Sequence, residues 1–465
     1  MFDNIFCPTT LLGKTQPLGE LPSGNEILRK TVAIAWPAVM ESFLVSLVSM
    51  VDNVMVSVLG TYAIAAVGLS IQPKFLGFAI IFSLNVAISA LVARRHGEND
   101  REGANRILKQ ALVLATIIIV VISVVLTVFA RPLLMFCGAQ PDTIEPAVEY
   151  FSIIMGFSFF QLISMVINAA QRGVGKTKIA MRTNIISNVI NVFFNYLLIG
   201  GKFGFPALGV SGAAIATVIG SIAACVISFM SIISPDNYLY VGYIKCKLFD
   251  KETISSIVSL SMGTLAEQVF FRIGFLTFSI IVAKLGTTDY ATHQIANNCM
   301  QVSFAFGDGF SVAAISLVGR NLGAKRSDLA KVYGLACKRL GAMFAVILCG
   351  FFMFFGKYVF MLFTPDPNII QLGSVITKIL AVMIYFQIDQ VITSGCLKGA
   401  GDTKFVAIVA FISVTLVRPL ASYALCYPLG YGLVGAWLGT LLDQLVRNAL
   451  NTYRFRSGKW STIEI

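Results

Sequence analysis

Long apolar runs, broken by glycine, proline or small charged clusters, recur along the whole chain. A helix rises about 1.5 Å per residue, so a run of roughly twenty such residues crosses a hydrocarbon core of about 30 Å. Twelve runs are predicted to do so, centred near Leu44, Phe78, Ile119, Phe159, Val189, Ile219, Phe271, Phe304, Val346, Val382, Ser413 and Leu441. They are longer than the ~10 residues of a barrel strand and lack its two-residue alternation. The pattern predicts an all-α polytopic membrane protein with twelve transmembrane helices.

The runs repeat. Leu59-Gly60-Thr61 returns as Leu285-Gly286-Thr287, and Leu91-Val92-Ala93-Arg94 as Leu317-Val318-Gly319-Arg320, at one common offset. Arg172-Gly173-Val174-Gly175 returns as Lys398-Gly399-Ala400-Gly401, Pro141 as Pro367 and Glu41 as Glu267, at the same offset. Several marks at one offset divide the chain into two pseudo-symmetric lobes of six helices. The expected limits are a cytoplasmic N-terminal segment 1–31, an N-lobe 32–233, a charged linker 234–253, a C-lobe 254–452 and a tail 453–465. An even number of spans per lobe makes the repeats parallel, with an axis along the membrane normal. Such repeats are expected to build a transporter with a cavity between the lobes and alternating access.

Composition agrees with the pattern: the 465 residues are 57% apolar and 12% charged, against about 25% charged in a soluble domain. A soluble globular protein is excluded. The net charge of +12 would suit nucleic acid if the bases shared one surface, but they sit in short loops. Of the loop Lys and Arg, 20 follow even-numbered spans and 4 follow odd-numbered ones, so both termini are expected to face the cytoplasm. The opening residues, with Pro8, Pro17 and Pro22, lack the basic and short apolar regions of a leader. The first span then acts as its own insertion signal, which fits a prokaryotic plasma (inner) membrane. The nine cysteines show no metal-ligand spacing, and Cys225, Cys299 and Cys349 lie inside apolar runs.

Ionisable groups in a span cost about 2.5 to 3.5 kcal/mol on insertion scales unless paired, protonated or wet. The acids are Glu41, Asp52, Glu267, Asp308, Asp389 and Asp443; the bases are Lys74, Arg272, Lys378 and Arg418. Asp443 precedes Arg447 by one turn, the spacing of a local ion pair. Lys74 and Lys378 suit snorkelling or cavity-lining structural roles. Arg272 is five residues after Glu267, about 140° around the helix, so the two do not neutralise each other on one face. Tyr385, Asp389 and Thr393 are stacked at helical spacing, a stripe suited to a proton or a sodium ion. Asp52 has Asn191, Asn195 and Thr217 as polar companions in other spans. Asp308, between Gly307 and Gly309, either loosens its helix or lines the path, and Glu41 is the repeat mate of Glu267.

At these residues the sequence resembles the multidrug and toxic compound extrusion (MATE) family, from about Val32 to Arg456. The resemblance rests on Trp36-Pro37, Val51-Asp52-Asn53-Val54-Met55-Val56, Ala65-Ala66-Val67-Gly68, Gln171-Arg172-Gly173, Gly209 to Thr217, His293-Gln294 and Leu317-Val318-Gly319 before Gly323-Ala324, in that order. It implies a cation-coupled antiporter exporting amphiphilic, mostly cationic compounds. Asp52, Asn191 and Asn195 match the family's N-lobe cation site, and Glu267, Tyr385 and Asp389 the C-lobe site of the NorM-like branch. The DinF-like branch commonly has an aspartate where this chain has Asn195. A proline usual near the start of the seventh helix is replaced by Met262-Gly263, and Asp308 and Arg272 stand outside the family pattern. Asp52 aligns with Phe278 and Asp389 with Ile163 across the repeat, so the two sites are not copies.

The expected mechanism has Na⁺ or H⁺ arriving from outside at Asp52 and at Glu267 with Asp389, displacing a cationic drug and allowing return to the inward-facing state. No cofactor beyond that ion, no enzymatic activity and a monomer in membrane lipid are expected, with small organic cations as cargo. The stretch Ala170 to Thr177 satisfies a loose phosphate-loop pattern, but it links two spans and its repeat copy has Asp402 in place of Lys176. His96 and His293 lack companions at metal spacing. The alternative is a lipid-linked oligosaccharide flippase of the same broad fold group; six acids against four bases in the spans favour cationic cargo over phosphate. A receptor or membrane-bound enzyme lacks an extramembrane domain, nucleophile triad or metal cluster to support it.

Overall fold

The computed structural model describes residues 6–13, 15–141, 143–243 and 249–463. Among them the chain is helical throughout, with no strand. The long helices are α1 (Gly24–Ser57), α2 (Thr61–Gly97), α3 (Arg101–Val128), α4 (Ile144–Gly156 and Ser158–Gly173, bent by 46°), α5 (Thr177–Gly200) and α6 (Gly209–Ile233). They continue with α7 (Lys251–Ala283), α8 (Thr287–Gly323), α9 (Ser327–Phe363), α10 (Pro367–Gly399), α11 (Thr403–Cys426) and α12 (Gly432–Arg456). Each expected span centre falls inside one of them.

Among the described residues ten helices are long and apolar enough to cross a membrane, and the bent pair of α4 makes eleven. The twelfth, α12, has 25 residues, about 37 Å of helix, which is length enough. It falls short in apolarity because it carries Asp443, Gln444, Arg447 and Asn451, all buried. Protein, rather than lipid, surrounds those groups.

Local signals set the boundaries. Asp100 caps α3 by accepting from the Gly103 N–H at 2.7 Å, and Asp366 caps α10 at the Asn368 N–H with Pro367 in the first turn. Gly60 and Gly286 hold φ of 109° and 125° in the turns before α2 and α8, where a side chain would be strained. Seven residues of α11, Phe411–Val417, are π-helical; the wider turn shifts the register of the helix beyond it and coincides with Arg418 turning inward.

Packing divides the chain into two units. One comprises Met40–Ser261; in it α6 lies against α5 and α4, and α2 against α3 and α4. The other comprises Met1–Val39 with Met262–Ile465, and its centre is α10, packed on α8, α9 and α12. The divisions fall inside α1 and α7, close after Pro37 and close before Gly263, which occupy equivalent positions in the repeat. Gly263 there lets α7 approach α11: a Cβ would lie 2.5 Å from Thr403 Oγ1. The limits 32–233 and 254–452 remain our proposal for the two repeats.

The repeat extends to the backbone. A Cβ on Gly173 would lie 2.7 Å from the Ser89 carbonyl, and one on Gly399 would lie 2.6 Å from the Ile315 carbonyl. Gly173 and Gly399 are repeat mates, and so are Ser89 and Ile315.

The N-terminal segment is folded onto the C-terminal unit. Phe6, Leu11 and Leu12 are buried in its core, Lys331 donates to the Leu12 carbonyl at 3.1 Å, and Asp328 accepts from the Leu18 N–H at 3.0 Å. In the linker, the Arg101 guanidinium gathers the carbonyls of Pro235, Asn237 and Tyr238 at 2.6 to 3.0 Å. Residues 244–248 of the expected linker, parts of the expected N-terminal segment (1–5 and 14) and the last two of the tail lie outside the described residues.

Candidate functional site

In the first unit, α1 brings Asp52 beside α5 and α6. Asn195 Nδ2 donates to Asp52 Oδ1 at 2.7 Å. Turning the Asn191 amide so that its nitrogen faces Asp52 places it 3.0 and 3.2 Å from the two carboxylate oxygens, with its oxygen 3.2 Å from Thr217 Oγ1. Thr217 also donates to the Ala213 carbonyl of its own helix. Asn191 and Asn195, one turn apart, are 6% and 1% exposed, and Asn195 Oδ1 has no hydrogen-bond partner among the described residues. The four expected residues are therefore assembled.

The chemistry of this cluster lies in its amides. A primary amide donates through nitrogen and accepts through oxygen, so rotation exchanges a donor toward a bare carboxylate for an acceptor toward a cation. Lys74 and Tyr150 stand within electrostatic reach of Asp52. Lys74 faces a small cavity with Ser70 and Tyr150.

Glu41 lies elsewhere in that unit, bound by Arg172 Nη1 at 2.8 Å and Asn184 Nδ2 at 2.6 Å. Arg172 is in the last turn of α4, where a cation meets the negative end of the helix.

In the second unit Glu267, Asp308 and Asp389 lie at three places, and Asp443 at a fourth. Glu267 on α7 is 4% exposed and lies 2.8 Å from the ammonium of Lys398, in the last turn of α10. Asp308 on α8 is exposed and within electrostatic reach of Lys398 and Glu267. Its helix is unbroken: Gly307 makes room for α10 at Ile388 and Val391, and Gly309 for Val39 of α1. Asp389 on α10 meets Lys338 of α9, Nζ to Oδ2, at 3.2 Å. Arg272 is half-buried on α7, and the base that engages Glu267 is Lys398.

Exposure and contacts change along the Tyr385-Asp389-Thr393 stripe. Thr393 is fully buried and its hydroxyl donates to the Asp389 backbone carbonyl at 2.7 Å, while Tyr385 is 39% exposed, its ring edge on Phe386. Each four-residue step turns only about 40° around the axis, so the three stay on neighbouring turns of roughly one side, and it is the packing of α10 that gives them different surroundings.

Asp443 forms the expected pair with Arg447, at 2.8 and 2.9 Å, and also accepts from Arg418 at 2.6 and 3.0 Å. The rings of Phe275 and Phe271 lie against the Arg418 and Arg447 guanidiniums at 4.5 and 4.9 Å, so cation–π contact offsets part of the burial. Sequence distance concealed the Arg418 contact; the signal that marked it was a base alone in an apolar run.

The remaining candidates have structural surroundings. Lys176 of the phosphate-loop pattern lies in a helix-to-helix turn and reaches Asn237 Oδ1 at 3.4 Å. His96 packs on Tyr238, and His293 among Phe278, Tyr290 and Trp437. Among the described residues no three His, Cys, Asp or Glu side chains form a metal-binding group.

Known proteins resemble this chain in sequence and in fold. A family model described as MatE matches the chain twice, over residues 37–197 and 264–424. The chain is 28% identical to the probable multidrug resistance protein NorM of Thermotoga maritima, over 96% of this chain and 95% of that protein. It is 27% identical to a protein of the same name from Rhizobium meliloti, over 87% and 88%. A crystal structure of MATE in complex with MaD3S superposes with a TM-score of 0.86 at 23% identity, covering 95% of this chain and all of that one.

Proposed function

The chain belongs to the MatE family, and on that premise we propose that it is a cation-coupled antiporter, driven by Na⁺ or H⁺, which exports amphiphilic, mostly cationic compounds by alternating access. It is a multi-pass membrane transporter of the multidrug efflux kind. We place it in a plasma (inner) membrane as a monomer, with both termini cytoplasmic on the strength of the loop charge bias. The coupling ion is its only co-substrate.

The observation that carries the coupling is the Asp52 cluster: a carboxylate whose hydrogen-bond partners are the neutral amides of Asn195 and Asn191. A charge held by amides in a low-dielectric span is an acceptor for a proton or a small cation. Uptake of one ion there changes the local charge by one unit, which is the differential affinity that exchange with a cationic drug requires. A one-for-one exchange with a monovalent drug moves no net charge and is driven by the ion's concentration gradient, whereas each further ion adds about 2.3 kcal/mol per 100 mV.

The test is ethidium uptake by purified protein in inside-out proteoliposomes, under a sodium gradient alone and then a proton gradient alone. Uptake under either gradient, lost in Asp52→Asn, supports the reading. No uptake under both turns attention to a lipid-linked cargo.

A further inference from the structure

Two kinds of ion pair occur at the acids of the membrane helices, and the repeat separates them. Glu41 with Arg172 and Glu267 with Lys398 are the same pair in both lobes, each acid and each base being the repeat mate of the other. Such a pair belongs to the common scaffold. The pair Asp389 and Lys338 does not recur: the corresponding positions are Ile163 and Leu112. Both charges are present in one lobe and both are absent in the other.

Lys338 is eleven residues inside α9, and its ammonium touches Asp389 Oδ2 at 3.2 Å and Thr452 Oγ1 of α12 at 3.3 Å. The two charged side chains are 13% and 14% exposed. α9 and α10 are in close contact around them: Gly341 faces Ile388 and Ile392, and Gly334 faces Cys396. The other titratable groups at the pair are the thiol of Cys396, within electrostatic reach of both charges, that of Cys337 behind it, and Tyr385 one turn before Asp389. From α8, Ser303 donates to Gln387 of α10, and from α12 Thr452 meets the ammonium and is itself bonded to Asn448.

We propose that Lys338 is a built-in cation at Asp389, so that this carboxylate exchanges protons and does not take a sodium ion. The ammonium already sits on Oδ2 and neutralises the carboxylate, so a sodium ion arriving there meets a like charge held by the protein itself. A proton meets the same like charge, which opposes protonation of the carboxylate, but it binds one oxygen covalently and needs no shell of several coordinating oxygens. Protonation converts Asp389 to the neutral acid, breaks the ion pair and leaves Lys338 protonated beside Thr452. The pair then carries a net charge of +1 in place of zero, and a cationic drug in the same lobe is repelled. Loss of the proton to water on the other side restores the pair. The proposal rests on the antiport reading for its direction of transport, but the occupancy of Asp389 is a binding property and is tested separately.

The experiment is equilibrium binding of ²²Na⁺ to purified full-length protein, wild type, Asp389→Asn, Lys338→Gln, Lys338→Ala and each lysine variant combined with Asp389→Asn. Wild type and Asp389→Asn are expected to bind sodium alike. Lys338→Ala or Lys338→Gln is expected to gain one sodium site that the added Asp389→Asn change removes. Lower sodium binding in Asp389→Asn than in wild type overturns the proposal, and that comparison needs no lysine variant to fold. Folded lysine variants without an Asp389-dependent gain also overturn it. If ethidium moves under neither gradient, the antiport reading fails while these sodium arms still decide the role of Lys338.

Discussion

Arg172 reaches Glu41 at 2.8 Å, and at the equivalent place in the second repeat Lys398 reaches Glu267 at the same distance. In both lobes a base in the last turn of a helix closes on a buried acid of another. The N-lobe copy adds Asn184, whose repeat mate is Ala410. Breaking a buried pair by removing one partner typically costs about 3 to 5 kcal/mol, because the other charge stays buried. Arg172→Ala is therefore expected to lower the thermal midpoint of the detergent-solubilised protein, with Glu41→Gln restoring part of the loss. Full stability of Arg172→Ala would show that Asn184 alone satisfies Glu41.

Asp443 is shared by two guanidiniums, so its neighbours are unequal in importance. Arg418→Met leaves Asp443 with Arg447; Asp443→Ala leaves two buried arginines facing each other. Monodisperse yield after size exclusion is expected to fall much further for Asp443→Ala than for Arg418→Met. The reverse order would place the net cost on the carboxylate.

At Gly399 a methyl group would enter the Ile315 carbonyl, whereas nothing lies within 4 Å of a Cβ on Gly350. Gly399→Ala is expected to destabilise by about 1 to 3 kcal/mol through forced separation of α8 and α10. Gly350→Ala, within α9, is expected to be neutral or to stabilise by up to about 1 kcal/mol. Thermal denaturation of the two variants side by side checks both signs.

Asn195 holds Asp52 by a hydrogen bond to an ionised group, an interaction worth about 1.5 to 3 kcal/mol. Asn195→Leu is expected to reduce gradient-driven ethidium transport at least roughly tenfold with insertion unchanged. Transport at the wild-type rate, normalised to protein in the vesicles, would remove Asn195 from the proposed cation site.

Most of the spans were legible because each is a local property: some twenty apolar residues in a row need no partner to be recognised, whereas α12 carries buried Asp443, Gln444, Arg447 and Asn451 and falls short of that apolarity. The repeat was legible for a related reason, since equal offsets survive in glycines and prolines that turns and close approaches demand. Even the N-lobe cluster could be anticipated, as Asn191 and Asn195 share one helix face. The loop charge count was less discriminating. Arg172, Lys398 and Lys338 all contributed to the cytoplasmic bias, yet each reaches an acid within its own unit.

By itself the sequence determined the helices, their order, their duplication and the short list of charges that a membrane helix carries at a cost. Which base meets which acid was decided only in the folded structure. Arg272 is five residues from Glu267, but the partner is Lys398 at the far end of α10; Arg447 is one turn from Asp443, but Arg418 joins it from another helix. Periodicity fixes the direction of a side chain around its own helix axis, whereas an ion pair depends on the distance between two helices, and that distance is set by the glycines and side chains packed between them.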